Sequence, residues 1–384
     1  MTTNTEKRMI TIWVLLILLV NGIVAFAYNV VVTKDTTNLW ALLAAIYIYC
    51  LGLTQSGIVF SAIMRLSRSE MGSQFSRLGE MLTLSFMPAS FILFLIIYFG
   101  GTEHLFYWAR PQEAAHGEHV LHLSPWLGKG LFLWRTVILS ALFYLVSFIY
   151  FRYSCIEERG ASNTKNSLNI LAGFVMFLYV LANTNTAWDF GMMIIPHWES
   201  SIFPIYFLAG NILGGTAFLF LLGIYLTPRA HGDEWWNSGH MDSAGKLLMG
   251  LSLFWVYLFW SQHIVIWYGD IPNLTGPLFK QHKGSYAPTF IFMMLTIFAA
   301  PFLALIFRRI RLNLHSLSAA AFIICIGVWI NRYLMVIPVF TDGKENVFAT
   351  YTGVALLFSG FAAILLSFIA LRNLFPGLNV TNDR

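Results

Sequence analysis

Six ionisable residues fall inside, or at the rim of, long apolar stretches of this 384-residue chain: Glu80, Arg135, Asp189, His263, Asp270 and Arg332. A charged side chain at the centre of a membrane span costs about 2.5–3.5 kcal/mol on insertion scales, so each of these needs a reason. One reason is pairing. Arg135 and Arg332 supply cations, and Asp189 and Asp270 supply carboxylates, that could hold helices together or snorkel to an interface. The other reason is chemistry. A carboxylate or an imidazole close to a cation can accept a proton when its pKa is tuned by that neighbour. Glu80, three residues after Arg77, reads either as an interfacial carboxylate or as part of a proton path. His263 reads either as a hydrogen-bonded packing residue or as a functional one.

These residues must be positioned by membrane helices. The composition is 58% hydrophobic and 11% charged, with a mean hydropathy of +0.68. An ordinary soluble domain carries about 25% charged residues. A helix crosses a bilayer with about 20 apolar residues. Ten segments qualify: 9–32, 39–64, 79–100, 131–151, 168–188, 202–226, 246–268, 288–307, 316–335 and 349–371. They predict an all-α polytopic membrane protein, with residues 1–384 as a single integral membrane domain. The first run follows Lys7 and Arg8, and Ala25-Phe26-Ala27 has the form of a signal-peptide cleavage site. The run is longer than a usual signal core, so a retained first helix is expected. The fifth segment ends in Ala182-Asn183-Thr184-Asn185-Thr186. Such a polar stretch must face protein or a water-filled cavity, as helix–helix contact or as the lining of a site.

Orientation follows from the basic residues. Of 23 Lys and Arg, 15 lie on the side of the N-terminus and six in the opposite loops, while Arg135 and Arg332 lie within spans. The bias places both termini in the cytoplasm. The net charge of +5 thus reflects topology and not nucleic-acid binding. Trp108, Trp126, Trp198 and Trp267 then fall on or near the outer side. So do Arg135, Asp189, His263, Asp270 and Arg332, the last near the outer end of the ninth segment. Glu80 alone lies at the inner mouth, on the third.

Metal chemistry has little support. Cys50, Cys155 and Cys325 are far apart and form no CxxC, which argues against an iron–sulfur cluster held by this chain alone. His104, His116, His119 and His122 share the loop 101–130, with spacing that suggests solvated loop histidines and not a zinc site. His263 is the one histidine well inside a span, whereas a b-type haem between helices usually needs two. No metal and no haem are expected in this chain.

Several stretches resemble one family. Asp189-Phe190-Gly191-Met192, then Pro196-His197-Trp198, Ser200, Phe203 and Tyr206, are similar to a segment of the NrfD (polysulfide-reductase-like) membrane subunits. More narrowly they resemble the ActF subunit of alternative complex III, a quinol:cytochrome c oxidoreductase. Gly245-Lys246-Leu247, Phe254-Trp255-Val256-Tyr257, Ser261-Gln262 and Ile266-Trp267-Tyr268-Gly269-Asp270-Ile271-Pro272 resemble a second signature of that subunit. Trp108 with Pro111 and His116, and Arg135-Thr136, fit two shorter ones. The quoted matches run from Trp108 to Pro272. There are departures. Phe190 stands where the family has a tryptophan, Trp188 precedes the carboxylate, Asp270 stands where the family has asparagine, and His263 matches no family histidine.

The resemblance implies ten helices containing two four-helix bundles, in a bacterial inner membrane. It implies partners: a periplasmic iron–sulfur or molybdopterin-type subunit, cytochrome c subunits, and a second NrfD-like membrane subunit. It also implies a non-covalently bound quinone, menaquinone or ubiquinone, with no haem or iron–sulfur cluster in the chain itself. On this basis quinol is oxidised near the outer leaflet, with Asp189 or His197 accepting protons and Arg135 tuning them. Glu80, His263, Asp270 and Arg332 are candidates for a proton path. Two rival readings stay open. One is a scaffold or proton-conducting subunit of the same complex. The other is a secondary transporter, against which stands the near absence of charge at the midplane.

Overall fold

The computed structural model describes residues 2–33, 36–69, 71–110, 125–158, 165–226, 236–341 and 350–374. Among these, ten helices are long and apolar enough to cross a membrane, and there is no strand. We label them α1 (Thr2–Val32), α2 (Thr37–Leu66), α3 (Gly72–Ile96), α4 (Lys129–Glu158), α5 (Lys165–Ala187), α6 (Phe203–Leu226), α7 (Ser238–Gly269), α8 (Gly284–Ile306), α9 (Leu314–Phe340) and α10 (Tyr351–Leu374). Every segment expected from hydropathy is present. Several helices run past their predicted ends, because polar residues just outside the hydrocarbon continue the same backbone hydrogen bonding. The expected histidines His116, His119 and His122 lie outside the described residues. His104 is half-buried and stacked on Trp40, with ring centroids 6.3 Å apart, so it is not a solvated loop residue.

Three π turns interrupt the regular helices. Ile97–Gly101 follows α3, Trp188–Met192 continues α5, and Leu295–Ala299 lies within α8. Such turns recur at functional sites, because the wider turn re-aims the side chains on either side of it.

The helices pack as two rings of four. In the first, α2 packs on α3 and α5, α4 packs on α5, and α3 closes onto α4. In the second, α6 packs on α7 and α9, and α8 fills the gap between α7 and α9. The long helix α2 joins them, packing on α6 and α9 as well, and its most apolar stretch is buried throughout. The α2–α3 crossing is close because it is built on glycine. A Cβ on Gly57 would stand 2.5 Å from the carbonyl oxygen of Gly79, and one on Gly79 would stand 2.3 Å from that of Gly57.

The first and last helices pack on each other beside the rings. Gly22 lies against Ser359, Asn29 donates to the Thr352 hydroxyl at 2.8 Å, and the Tyr351 hydroxyl donates to Asn21 at 2.6 Å. α10 then leans on α2 and α3, while α1 is otherwise largely uncovered.

Candidate functional site

The first turns of α4 bring Arg135 and Thr136 against the end of α5. Arg135 forms an ion pair with Asp189, the second residue of the π turn. Asp189 is 1% exposed. Its other oxygen accepts from Asn185 at 2.8 Å and from Thr136 at 3.3 Å. The arginine is held from its far side too. It donates to the Trp126 carbonyl at 2.5 Å, and its guanidinium lies 4.4 Å from the centroid of the Trp126 ring. The polar run at the end of α5 therefore divides by face. Asn185 serves this carboxylate, while Asn183 turns to the middle of the molecule.

A buried ion pair is costly to desolvate and needs hydrogen bonds to its remaining atoms. Here both Asp189 oxygens are met, while the Arg135 Nε and the Asn185 Oδ1 are buried without a partner among the described residues. The arrangement can change charge state. If Asp189 takes up a proton, the arginine keeps the Trp126 carbonyl and the ring face, so the cation is not abandoned in an apolar site.

His197, the other expected proton acceptor, is elsewhere. It is exposed, its backbone is left-handed at φ 55°, and its ring makes no hydrogen bond among the described residues. The left-handed turn reverses the chain between the π turn and α6 and sends Trp198 inward. Trp198 donates to the Leu274 carbonyl at 3.1 Å and packs edge-on against Phe203, which neighbours Tyr206. The aromatic positions of the Asp189–Tyr206 segment thus form a packing cluster.

The outer-side residues do not converge on one cluster, because α4 and α5 belong to one ring and α7 and α9 to the other. Asp270 is the exposed, left-handed cap of α7, with φ 44°, and pairs with no arginine among the described residues. The expected Arg332–Asp270 pair is therefore not formed. Arg332 is also deeper than predicted. α9 continues to Phe340, which places Arg332 about 12 Å below that end at 1.5 Å per residue. It is fully buried and has no carboxylate partner among the described residues. It donates to the Phe207 carbonyl at 2.7 Å, Asn211 at 2.9 Å and Asn331 at 3.2 Å, and its guanidinium lies 4.0 Å from the Phe207 ring centroid. Amides carry this contact back to the first ring. Asn211 donates to Asn183 at 2.8 Å, Asn183 to Gln55 at 3.1 Å, and Gln55 to Tyr144 at 3.5 Å.

His263 packs on Phe259 with the rings tilted by 33° and centroids 3.9 Å apart, and its Nδ1 meets the Phe259 carbonyl at 2.8 Å. Its neighbour is His282, 5.3 Å away between centroids. Burial and the charge of Lys283 hold the His282 imidazole below its usual range.

At the opposite end of the first ring, Glu80 is fully buried and not the interfacial carboxylate that its place near Arg77 suggests. Arg77 donates to it at 2.9 Å, and Ser61 and Ser154 donate to one oxygen at 2.8 and 3.1 Å. Ser61 also meets the Tyr150 hydroxyl at 3.1 Å. Between the two carboxylates, α4 turns Thr136, Tyr144, Ser147 and Tyr150 inward, and the Ser147 hydroxyl is buried without a protein partner. Apart from Thr136 the sequence analysis did not single out this stripe, although its spacing of three or eight residues is helical.

A cleft of about 680 Å3 opens at the π turn that carries Asp189, although neither Asp189 nor Arg135 lines it. Its walls are Trp188 and Met192 of the π turn, residues 199–202, and the Gly269 end of α7 with the short helix Pro272–Lys280. Among the described residues no three His, Cys, Asp or Glu converge as metal ligands would.

With this geometry in hand, comparison with known families is decisive. The model of the family described as polysulphide reductase, NrfD, matches residues 30–342. The chain belongs to the NrfD family. NrfD proteins are membrane subunits of quinone-linked redox complexes, typically with iron–sulfur or molybdopterin subunits as partners. The match spans α2 to α9 and so covers both rings. Among curated proteins none matches the chain.

Proposed function

We propose that this NrfD protein is the membrane subunit of a quinol-oxidising complex of the alternative complex III type, closest to its ActF subunit. It works in a bacterial inner membrane with both termini cytoplasmic. The observation that carries this reading is the Asp189 carboxylate, buried and paired with Arg135, Thr136 and Asn185, on a π turn that walls a cleft at the expected outer side. Oxidation of a quinol to a quinone releases two protons and two electrons. Asp189 takes up the two protons one after the other, passing the first to the outer side before it receives the second, with Arg135 as the charge partner of its carboxylate. The electrons leave to an iron–sulfur cluster of a periplasmic partner and on to a cytochrome c subunit, as the partners typical of the family suggest. Menaquinone and ubiquinone both fit this chemistry.

The test is Asp189→Asn in the assembled complex. Quinol-dependent turnover is expected to fall at least a hundredfold, with subunit content unchanged. Turnover at the parent rate would remove Asp189 from the mechanism.

A second reading concerns protons alone and is favoured by the polar stripe on α4. Glu80, Ser154, Ser61 and Tyr150 at one end, and Thr136, Asn185 and Asp189 at the other, would form the two mouths of a proton path through the first ring. In proteoliposomes, Glu80→Gln is expected to lower the protons moved per electron while quinol oxidation continues. An unchanged ratio would leave Glu80 as a structural partner of Arg77.

A further inference from the structure

The cleft at the π turn that carries Asp189 contains one group whose chemistry is unfinished. Gln262, on α7, is 3% exposed, and its Oε1 is buried without a hydrogen-bond partner. It lies on the cleft wall facing the π turn. Buried amides are ordinarily satisfied, so an unpaired one on the wall of a cavity marks a place where a ligand completes the set. We propose that this cleft receives the quinol ring and that Gln262 is the residue that holds one of its oxygens. This rests on the quinol-oxidising reading and gives it a location.

Four features support this occupant. The volume lies within the roughly 300–1,000 Å3 of small-ligand sites. A carboxamide is both donor and acceptor, so Gln262 can take a quinol hydroxyl on its oxygen or bond a quinone carbonyl with its N–H, and it serves the ring on either side of the reaction. The walls are graded. Trp188 offers a flat apolar face, Val265 and Ile271 are largely exposed on the outer surface of the helices where an apolar tail would leave, and Glu199 lies at the polar side. Finally, Trp188 immediately precedes Asp189 on the π turn, so the proposed proton acceptor sits on the same backbone element as the cleft wall. Gln262 itself takes neither proton nor electron.

The experiment uses the intact complex with a short-tailed naphthoquinol or benzoquinol, together with extraction and quantitation of co-purified quinone. Gln262→Leu keeps the side-chain bulk and removes both hydrogen-bonding functions. It is expected to raise KM about tenfold with a smaller change in kcat, the size of one neutral hydrogen bond. Gly269→Phe fills the mouth of the cleft. A Cβ at Gly269 meets nothing within 4 Å, so the backbone need not move. This variant is expected to lose both turnover and bound quinone. Parent KM, turnover and quinone content in both variants would overturn the proposal, as would a phospholipid extracted in place of quinone with KM unaffected. If that occurs while Asp189→Asn still abolishes turnover, the redox reading stands and the cleft is not its site. If Asp189→Asn is also fully active, both fall together.

Discussion

Within their membrane spans the two four-helix rings treat buried arginine differently; outside the spans Arg311, before α9, pairs with Asp242 of α7 at 2.8 Å. In the first ring, each arginine that enters the core meets a carboxylate: Arg77 meets Glu80, and Arg135 meets Asp189. In the second, Arg332 is equally buried but is met only by backbone and side-chain amides, a methionine sulfur and an aromatic face. A pair of opposite charges can gain or lose a proton and remain solvated by its neighbours. A lone cation held by neutral dipoles has no second charge state to move to. The first ring thus pairs its buried cations with titratable carboxylates, and α9 holds a cation among neutral dipoles at the joint between the rings.

Breaking this contrast should give graded effects. The largest is expected for Arg135→Leu, which strands Asp189. We expect a loss of about 3–5 kcal/mol in unfolding experiments in mild detergent, most of it recovered in the double variant with Asp189→Asn. Additive effects of the two substitutions would show that the pair is not coupled. Glu80→Gln should be milder, about 1 kcal/mol, because Arg77 keeps a second carboxylate in Glu158 at 2.7 Å and the amide still meets Ser61. A loss as large as that of Arg135→Leu would mean that the two pairs are equivalent after all. Thr136→Val removes one of three donors to Asp189 and should also cost about 1 kcal/mol, detected as a small fall in melting temperature. The smallest net effect is expected for Arg332→Met. Lost hydrogen bonds and relief of an uncompensated charge oppose each other, so the change should stay within about 1 kcal/mol. A collapse of stability in this variant would show that the dipoles around Arg332 compensate it as fully as a carboxylate does.

The ten spans were legible because their only requirement is length and apolarity, and α2 to α9 each meet it without ambiguity. Arg135 and Asp189 were legible as partners because two successive helices joined by a short connection must place residues of similar depth side by side. Arg332 was placed too near the outer end because the ninth segment was bounded at residue 335. In lipid the helix continues through Pro338 to Phe340. For Glu80 the interfacial and the proton-path readings stay open in the sequence, because hydropathy reports depth along a helix and not the face it presents; the structure buries it. His197 carried the strongest local pattern, yet its left-handed backbone turns Trp198 inward and leaves the histidine outside. Gln262 was legible only as part of the Ser261-Gln262 match to a family signature, with no role attached, since an unmet hydrogen bond exists only once its neighbours are in place.

The pairing of α1 with α10 bears on biogenesis. The ribosome delivers the first helix some 320 residues before the partner that buries it, as the Asn29–Thr352 bond is separated by 323 positions. During that interval Asn21 and Asn29 have no hydroxyl from α10 to meet, and α1 waits in lipid, inserted but unassembled. Arrival of the final helix latches the chain, and a product truncated before residue 351 would present those two amides to any protease that inspects the bilayer for unfinished proteins.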